Sequence, residues 1–160
     1  MLNVQRFPIP DFGRIWRRFQ IMSDPKADEV HIYLMFYDFE IHPDEISKIL
    51  NLNPTKTGLK GEKYILSYDR KRSYKSNWWE FRKDYEMGEK WVQESIDEFI
   101  LEIIEPRKKE ISEVMSKGDG EFSVVPYFYS KANPGFFFEK STIEVLSEAN
   151  LAINLDIYCL

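Results

Sequence analysis

The sequence is poor in the residues that build most metal and catalytic sites. It contains one cysteine, Cys159, and two histidines, His31 and His42. A single cysteine excludes an internal disulfide and is compatible with a reducing cytoplasm, where we expect the protein to reside. No cysteines or histidines have zinc-site spacing and no cofactor motif occurs, so we expect no metal and no cofactor. Cys159 falls on the same face of an alternating pattern as Leu155 and Ile157 and is predicted to be a small core side chain.

Long hydrophobic runs are also missing. No apolar run reaches the ~18 residues that span a membrane, and the N-terminus lacks a signal-peptide layout, so we expect no membrane segment and no secretion signal. The net charge of −5 argues against general binding to nucleic acid or to anionic membranes. The chain of 160 residues is long enough for one domain with a sizeable core.

The most informative stretch is rich in aromatic and β-branched residues and runs from Val30 to Ile41. This composition predicts a β-strand. Both of its alternating faces are apolar, so the strand is predicted to be central in a sheet and covered on each side. Pro43 then opens a short helix with Ile46, Ile49 and Leu50 on one side, and the segment Asn51–Pro54 ends it.

The next segment is predicted to contain a loop and a pair of strands. Thr55–Glu62 has two glycines and two lysines but lacks phosphate-loop chemistry, so it is predicted to be a loop. Lys63–Tyr68 and Tyr74–Phe81 are predicted strands. Asp69–Arg72 is predicted to be the charged turn between them.

The major helix is predicted over Glu89–Met115, with a kink or restart at Pro106. Trp91, Val92, Ile96 and Phe99 begin an apolar stripe that faces the core. The opposite side is acidic and carries Glu94, Asp97, Glu98 and Glu102. That side is either a solubilising surface or a recognition surface for a basic partner.

The final third of the chain repeats the opening plan. Phe122–Tyr129 is a predicted strand, and Pro126 within it predicts an edge position or a bulge. Ser141 and Glu144 form a capping-box pattern that predicts the start of a short helix. From Leu151 to Tyr158 the alternation predicts a strand with one covered face.

These elements predict an α+β fold, with a mostly antiparallel sheet, a long kinked helix and two short helices. Strand, helix and strand occur near both ends, so a pseudo-repeat of two halves is an open alternative. Residues 1–28 are predicted to be an N-terminal arm, and residues 29–160 a single domain. Asp11 is predicted to cap a short amphipathic helix in the arm, and this helix is predicted either to pack on the body or to contact a partner.

Candidate binding residues are aromatic or acidic. Trp78 and Trp79 are adjacent, and neighbouring residues on a strand face opposite ways, so one is predicted in the core and the other at the surface. The predicted binding set is Trp78, Trp79, Glu94, Asp97, Glu98, Tyr127 and Tyr129. No catalytic residue is assigned; Asp38, Glu40 and His42 are the best candidates if the protein is a hydrolase, and ordinary surface placement is the alternative.

The order of several motifs resembles a known family. The opening strand is followed by Pro43–Ile46 and Leu50–Thr55, then by Ser76–Trp78, the helix through Pro106, and a closing Leu155–Tyr158. This arrangement, from Val30 to Tyr158, resembles the bacterial DUF4279 family of uncharacterised domains. The resemblance implies a compact cytoplasmic α+β domain and supplies no activity or catalytic residues. By analogy, such families include suspected immunity proteins that accompany bacterial toxins.

Three functional hypotheses remain open from the sequence. The first is a non-enzymatic interaction protein, such as an immunity-type inhibitor, whose acidic surface binds a basic protein partner. The second is a small-ligand-binding regulatory domain that uses Trp78 or Trp79 and the later tyrosines. The third is a hydrolase that uses Asp38, Glu40 or His42.

Overall fold

The computed structural model describes residues 26–66, 70–88, 91–129 and 135–160. A six-stranded sheet packs against helices, and a separate two-stranded hairpin lies beside it. The strands are β1 (Glu29–Phe39), β2 (Lys56–Gly58), β3 (Lys63–Leu66), β4 (Arg70–Ser73), β5 (Asn77–Glu86), β6 (Asp119–Phe128), β7 (Ala152–Leu155) and β8 (Tyr158–Cys159). The helices are α1 (Pro43–Leu50), α2 (Val92–Phe99), α3 (Lys108–Met115) and α4 (Lys140–Glu148). The predicted α+β class with a mostly antiparallel sheet is confirmed.

The sheet order is β2-β5-β1-β6, after which β7 and β8 pair one after the other with β6. Strand β1 is therefore central, as predicted. Because β5 is antiparallel to both β1 and β2, the strands of the unit β1–α1–β2 run parallel. The strands of the unit β6–α4–β7 are also parallel. The repeated strand–helix–strand plan is thus present, but β5 separates β1 from β2 whereas β6 and β7 are adjacent.

The two faces of β1 differ in burial. Val30, Ile32, Leu34 and Phe36 are at most 1% exposed and join the core formed with the helices. The alternate residues from His31 to Tyr37 are only half-buried. The prediction that both faces are covered is therefore wrong for the second face. Tyrosine and methionine at these positions read as apolar in the sequence, yet both tolerate partial contact with water.

Aromatic rings join the long helical segment to the covered face of the sheet. The rings of Phe36 and Trp79 lie 5.6 Å apart between neighbouring strands. Phe99 of α2 contacts Phe81 of β5 at 6.0 Å and Phe122 of β6 at 5.8 Å. Burying such large rings supplies much of the free energy that holds the helix on the sheet.

Helix α1 begins and ends as predicted. Pro43 occupies its first turn, and the His42 ring nitrogen Nδ1 accepts a hydrogen bond of 3.2 Å from the backbone N–H of Asp44. Asn51 adopts a left-handed φ of 46°, and its N–H bonds to the carbonyl of Lys48. A residue in this conformation closes the helix by satisfying its last carbonyls.

The segment between α1 and the long helix contains more strand than predicted. The predicted loop Thr55–Glu62 includes β2, which pairs with β5. The predicted turn Asp69–Arg72 is wrong for its last three residues, which belong to β4 and pair with β3. The predicted strand Tyr74–Phe81 begins at Asn77 and continues to Glu86. Charged side chains obscured these strands, because backbone pairing requires no apolar residue on an exposed face.

The long helical segment is confirmed over residues 92–115, and it is irregular at Pro106 as predicted. A π-helical turn at Ile100–Ile104 and a 3₁₀ turn at Glu105–Arg107 separate α2 from α3. Pro106 has no N–H to donate and its ring crowds the preceding turn. The Arg107 guanidinium compensates by donating at 3.1 Å to the carbonyls of Glu102 and Ile103. It also donates at 3.0 Å to the carbonyl of Leu50 at the end of α1.

The prediction that Pro126 marks an edge strand is wrong, because β6 lies between β1 and the pair β7 and β8. The carbonyls of Val124 and Phe128 accept hydrogen bonds from Asp156 and Leu160, so these residues face the outer strands. Pro126 faces the same way by alternation. Pro126 lies between the part of β6 that pairs with β7 and the part that pairs with β8. Its missing N–H therefore removes no hydrogen bond of either strand pair.

The predicted start of the last helix is wrong. Helix α4 begins at Lys140, and its N-cap residue Glu139 makes no side-chain capping bond. Ser141 and Glu144 therefore lie inside the helix, and the capping-box pattern is not used. Thr142 is buried, and its hydroxyl donates to the Asp97 carboxylate at 3.2 Å, which fixes α4 against the long helical segment.

The C-terminal strands are more exposed than predicted. Leu151 is buried, but Ile153, Leu155 and Ile157 are each about 40% exposed. Cys159 is exposed, so its predicted place in the core is wrong. Alternation correctly predicted a strand here, whereas the covering of its apolar face depended on distant elements.

The predicted arm, residues 1–28, lies outside the described residues except for Lys26, Ala27 and Asp28. Its amphipathic helix stays a prediction. Within the described part of the chain, no helix combines the length and the apolar character needed to cross a membrane.

Candidate functional site

The half-exposed side of the sheet, which we call the open face, is formed by alternate residues of β1, β5 and β6. Tyr37 lies beside Trp78 in register, Met35 beside Glu80, and Tyr33 beside Arg82. Its members are Glu29, His31, Tyr33, Met35, Tyr37, Trp78, Glu80, Arg82, Asp84, Glu86, Asp119, Glu121, Ser123, Val125 and Tyr127. Half-exposed aromatic side chains next to charged ones are typical of binding surfaces rather than of a protein core.

The open face is acidic. Its fifteen positions carry six carboxylates, from Glu29, Glu80, Asp84, Glu86, Asp119 and Glu121, and one guanidinium, from Arg82. Among the described residues, no lysine or arginine nitrogen lies within 4.0 Å of the carboxylates of Glu80, Asp119 or Glu121. A cationic partner would therefore be attracted to this surface.

Arg82 forms the centre of the open face. Its guanidinium bonds to the Asp84 carboxylate, with one contact of 3.0 Å from Nη2 to Oδ2. The same Nη2 lies 3.3 Å from Nε2 of His31, and the guanidinium carbon lies 5.5 Å from the centre of the Tyr33 ring. The hydrogen bond to Asp84 raises the pKa of Arg82. The cation is thus held in place by an acid and an aromatic ring.

Two neighbours of Arg82, Glu80 and Tyr33, have raised pKa values. Burial raises the pKa of the Glu80 carboxyl, although Lys56 and Arg82 act in the opposite direction. Burial also raises the pKa of Tyr33, which keeps its hydroxyl protonated and able to donate a hydrogen bond. A half-buried acid with a raised pKa retains its charge at a cost in stability, which is common at functional sites.

One end of the open face, beside the start of β1, is an aromatic cluster. Tyr127 stacks on Tyr158 of β8 with ring centres 5.0 Å apart and planes 9° apart. The His31 ring lies 5.0 Å from Tyr127 on its other side. Tyr127, one of the predicted binding residues, is therefore a half-exposed strand residue between two other rings.

Tyr129 occupies a separate small network. Its hydroxyl donates at 3.0 Å to the Glu29 carboxylate, and Lys26 lies 4.3 Å above its ring centre. Lys26 also bonds to Glu29 at 2.8 Å. The hydrogen bond from Lys26 lowers the pKa of Glu29, and the one from Tyr129 adds to it. Tyr129 thus fixes the start of β1 in addition to lying near the open face.

The two adjacent tryptophans separate as predicted. Trp79 is completely buried, and its Nε1 donates at 3.0 Å to Ser47 of α1. Trp78 is half-exposed on the open face, with the Tyr74 ring 5.5 Å away. Gly58 makes room for it, since a Cβ there would lie 2.0 Å from Trp78 Nε1. Trp79 is thus a core residue, and Trp78 is the member of the pair that a partner can reach.

The acidic side chains of the long helical segment form hydrogen bonds and ion pairs with other residues of the protein. Glu94 accepts a hydrogen bond of 2.7 Å from the backbone N–H of Trp91 and so caps α2. Asp97 accepts bonds from Gln93 and Thr142. Glu98 forms an ion pair of 3.2 Å with Lys83 of β5. The structure does not bring these three acids together with Trp78 or Tyr127, which lie on the other side of the sheet.

Comparison with known protein families assigns the chain to one of them. The family model described as "Domain of unknown function (DUF4279)" matches residues 28–160. The chain belongs to the DUF4279 family. No curated protein and no solved structure gives a significant match. The family assignment therefore defines the domain without defining its activity.

The three hydrolase candidates, Asp38, Glu40 and His42, do not belong to the open face of this DUF4279 domain. Asp38 has a left-handed φ of 57° at an irregularity in β1 and is exposed. Glu40 lies 3.6 Å from Lys60, and His42 is the N-cap of α1. Among the described residues, no three potential ligands from histidine, cysteine, aspartate and glutamate are grouped to hold a metal ion.

A cavity of about 580 Å³ lies away from the open face of the DUF4279 domain. Among the described residues it is lined by Trp91, Val92, Gln93, Glu94, Gly135, Phe136 and Phe137. Trp91 and Phe137 are both more than half exposed. Its volume falls in the range of about 300–1,000 Å³ that is common for small-molecule sites.

The sequence did not indicate that Glu80, Arg82, Asp84 and Tyr33 share the open face with Trp78. The signal was present in β5, where Glu80, Arg82, Asp84 and Glu86 place a charged residue at every second position. Ending the predicted strand at Phe81 removed three of its polar positions. Tyr33 was assigned to a covered face because no sequence pattern shows that helices pack on one side only.

Proposed function

We propose that this DUF4279 domain is a non-enzymatic interaction protein that binds a basic protein partner through its open face. The single observation that carries the proposal is the composition of that face, with six carboxylates and one guanidinium around half-exposed aromatic rings. Aromatic rings supply contact area, and the acids steer a cationic partner toward them.

The partner class that fits best is a cationic protein, such as a toxin with a basic active site. An immunity-type inhibitor in the cytoplasm would cover such a site with an acidic surface. The open face of the sheet, rather than the long helical segment, is the acidic recognition surface. Glu98 and Glu102 of the helical segment are paired with Lys83, so their charges are less available to a partner.

The test is a titration of the full chain with the protein encoded by the neighbouring gene, followed by calorimetry at low and high salt. We expect a complex at micromolar concentration that weakens as salt rises, because screening reduces attraction between charges. The double variant Glu80→Lys/Glu121→Lys should weaken binding by at least about tenfold, equivalent to about 1.4 kcal/mol. The matched control is Glu110→Lys, an exposed acid on α3, which should leave binding unchanged.

Two outcomes would contradict the proposal. One is the absence of a complex at micromolar concentration. The other is a complex in which the double variant on the open face binds as tightly as the control. Circular dichroism of each variant separates lost binding from lost folding.

A second candidate function is the binding of a small apolar ligand in the cavity beside Trp91. The observation that favours it is the size of the cavity and its aromatic lining. A ligand that binds only the native state raises the melting temperature. A thermal-shift screen with aromatic and aliphatic carboxylic acids and amines tests this function. A shift that Phe137→Ala abolishes would support it.

A further inference from the structure

Strand β7 is the edge of the sheet next to β6, and it has no strand on its outer side among the described residues. The backbone N–H of Asp156 donates to the carbonyl of Val124 at 3.2 Å, which shows that Asp156 faces β6. Successive residues on a strand alternate the direction of their backbone groups, so Asn154 also faces β6. The N–H and C=O groups of Ile153 and Leu155 therefore point outward and are available to another strand.

The side chains of the same two residues form an apolar surface. Ile153 and Leu155 stand beside the buried Phe122 and Val124 in the register of β6. They are nevertheless 41% and 40% exposed, and Ile157 extends the exposed apolar surface along the chain. We call Ile153, Leu155 and Ile157 the edge patch. Exposed apolar surface next to an unpaired strand is a common sign of an interface.

Other strand edges of the molecule carry charges that oppose pairing with a second chain. Strand β2, at the opposite edge of the sheet, begins with Lys56, and β3 and β4 include Lys63, Lys71 and Arg72. Charged side chains at an edge discourage strand addition. Residues 151–160 contain one ionisable acid, Asp156, and no lysine or arginine. The edge patch therefore lacks the charges that would repel an identical copy.

We propose that β7 is a self-association edge, at which a second copy of this chain pairs antiparallel with β7 about a two-fold axis. An axis at Asn154 places Ile153 opposite Leu155 of the other copy, and Leu155 opposite Ile153. Because both residues have outward backbone groups, this register forms four hydrogen bonds between the copies. It also brings the apolar side chains of the two edge patches together on one side of the joined sheet. A two-fold pairing closes on itself and adds no further copies.

A second copy fits this edge better than the predicted helix of residues 1–28. A helix satisfies its own backbone groups, so it can cover the apolar side chains but cannot pair with the outward N–H and C=O groups. A strand of the same sequence satisfies both requirements. Net negative charge elsewhere does not prevent the approach, since the acids of the open face lie on the opposite side of the sheet from the edge-patch side chains.

The experiment is sedimentation equilibrium of the full chain over a range of micromolar concentrations. We expect a mass that rises toward twice the 19.2 kDa of one chain. The variant Ile153→Lys/Leu155→Lys should sediment as a monomer at all concentrations, because four ammonium groups would meet in the paired state. The matched control is Ile65→Lys in β3, another exposed strand isoleucine, which should leave the dimer intact.

Two further measurements keep the test independent of how the lysine variants fold. Ile153→Pro removes one outward N–H without touching the bonds to β6, and it should shift the equilibrium toward the monomer. In the unaltered protein, the amides of Ile153 and Leu155 should exchange slowly with solvent at high concentration and faster on dilution. A full chain that stays monomeric, or a dimer that survives in the double-lysine variant, overturns the proposal.

Discussion

The two faces of the sheet are formed by the same three strands, β1, β5 and β6, but they differ in burial. On the covered face, Trp79 and its neighbours are dry and packed against helices, whereas one residue earlier Trp78 is half-exposed beside tyrosines and acids. The contrast continues at Lys83, which forms ion pairs with the helical segment, and at Arg82, which points to the open face. Helix packing and burial are therefore concentrated on one face, and the other face is half-exposed.

The largest expected effect comes from shortening the two tryptophans separately. Trp79→Ala should lower the free energy of unfolding by about 3–5 kcal/mol, because it leaves a cavity and removes the bond to Ser47. Trp78→Ala should lower it by about 1–2 kcal/mol, since less apolar area leaves contact with its neighbours. Chemical denaturation of both variants measures the difference. Equal losses would contradict the separation of the two faces.

A smaller effect is expected at the ion pairs between sheet and helix. Lys83→Ala should lower the free energy of unfolding by about 1 kcal/mol at neutral pH, because Glu98 and Glu102 lose their shared cation while solvent screens much of the attraction. Burial opposes the Lys83 charge, but the hydrogen bonds that Lys83 donates to Glu102 and Glu98 outweigh it and raise the pKa. The control Arg82→Ala should lower stability less, since its partner Asp84 is on the same strand.

The sign of the pH dependence follows from the raised pKa of Lys83. The folded state holds the proton more tightly than the unfolded state, whose ordinary pKa is 10.5. The stabilising contribution is therefore complete below pH 10.5 and is lost as the pH rises through the folded pKa. Melting curves of the unaltered protein and of Lys83→Ala should converge in alkaline buffer. A constant difference would exclude the ion pairs as the cause.

The smallest expected effect is a gain in stability on the open face. Glu80→Gln should raise the free energy of unfolding at pH 7 by a few tenths to about 1 kcal/mol, because it removes a half-buried charge. Burial raises the pKa of Glu80, so the charged form disfavours folding. The gain should be absent below the ordinary pKa of 4.5 and appear as the pH rises above it. A loss of stability at pH 7 would show that Glu80 is held by a favourable contact.

The sequence predicted the parts of the fold that depend on local pattern. The dense strand before Pro43, the helix that Asn51 closes and the irregularity at Pro106 all follow from residue type and spacing. The candidate site was predicted only in part, since Trp78 and Tyr127 lie on the open face but Trp79 is a core residue. The acids of the long helical segment were identified as a surface, yet their pairing with Lys83 depends on a strand far away in the sequence.

The sequence by itself determined which segments are helices and strands at most positions, because the period of apolar residues and the prolines act within a few residues. Only the tertiary structure decided which sheet face is covered, that β6 is interior and that the apolar side chains of β7 are exposed. Those properties depend on the packing of elements that are distant along the chain. The same alternating pattern is compatible with a strand covered by a helix, a strand with one exposed face, or a strand at the edge of a sheet.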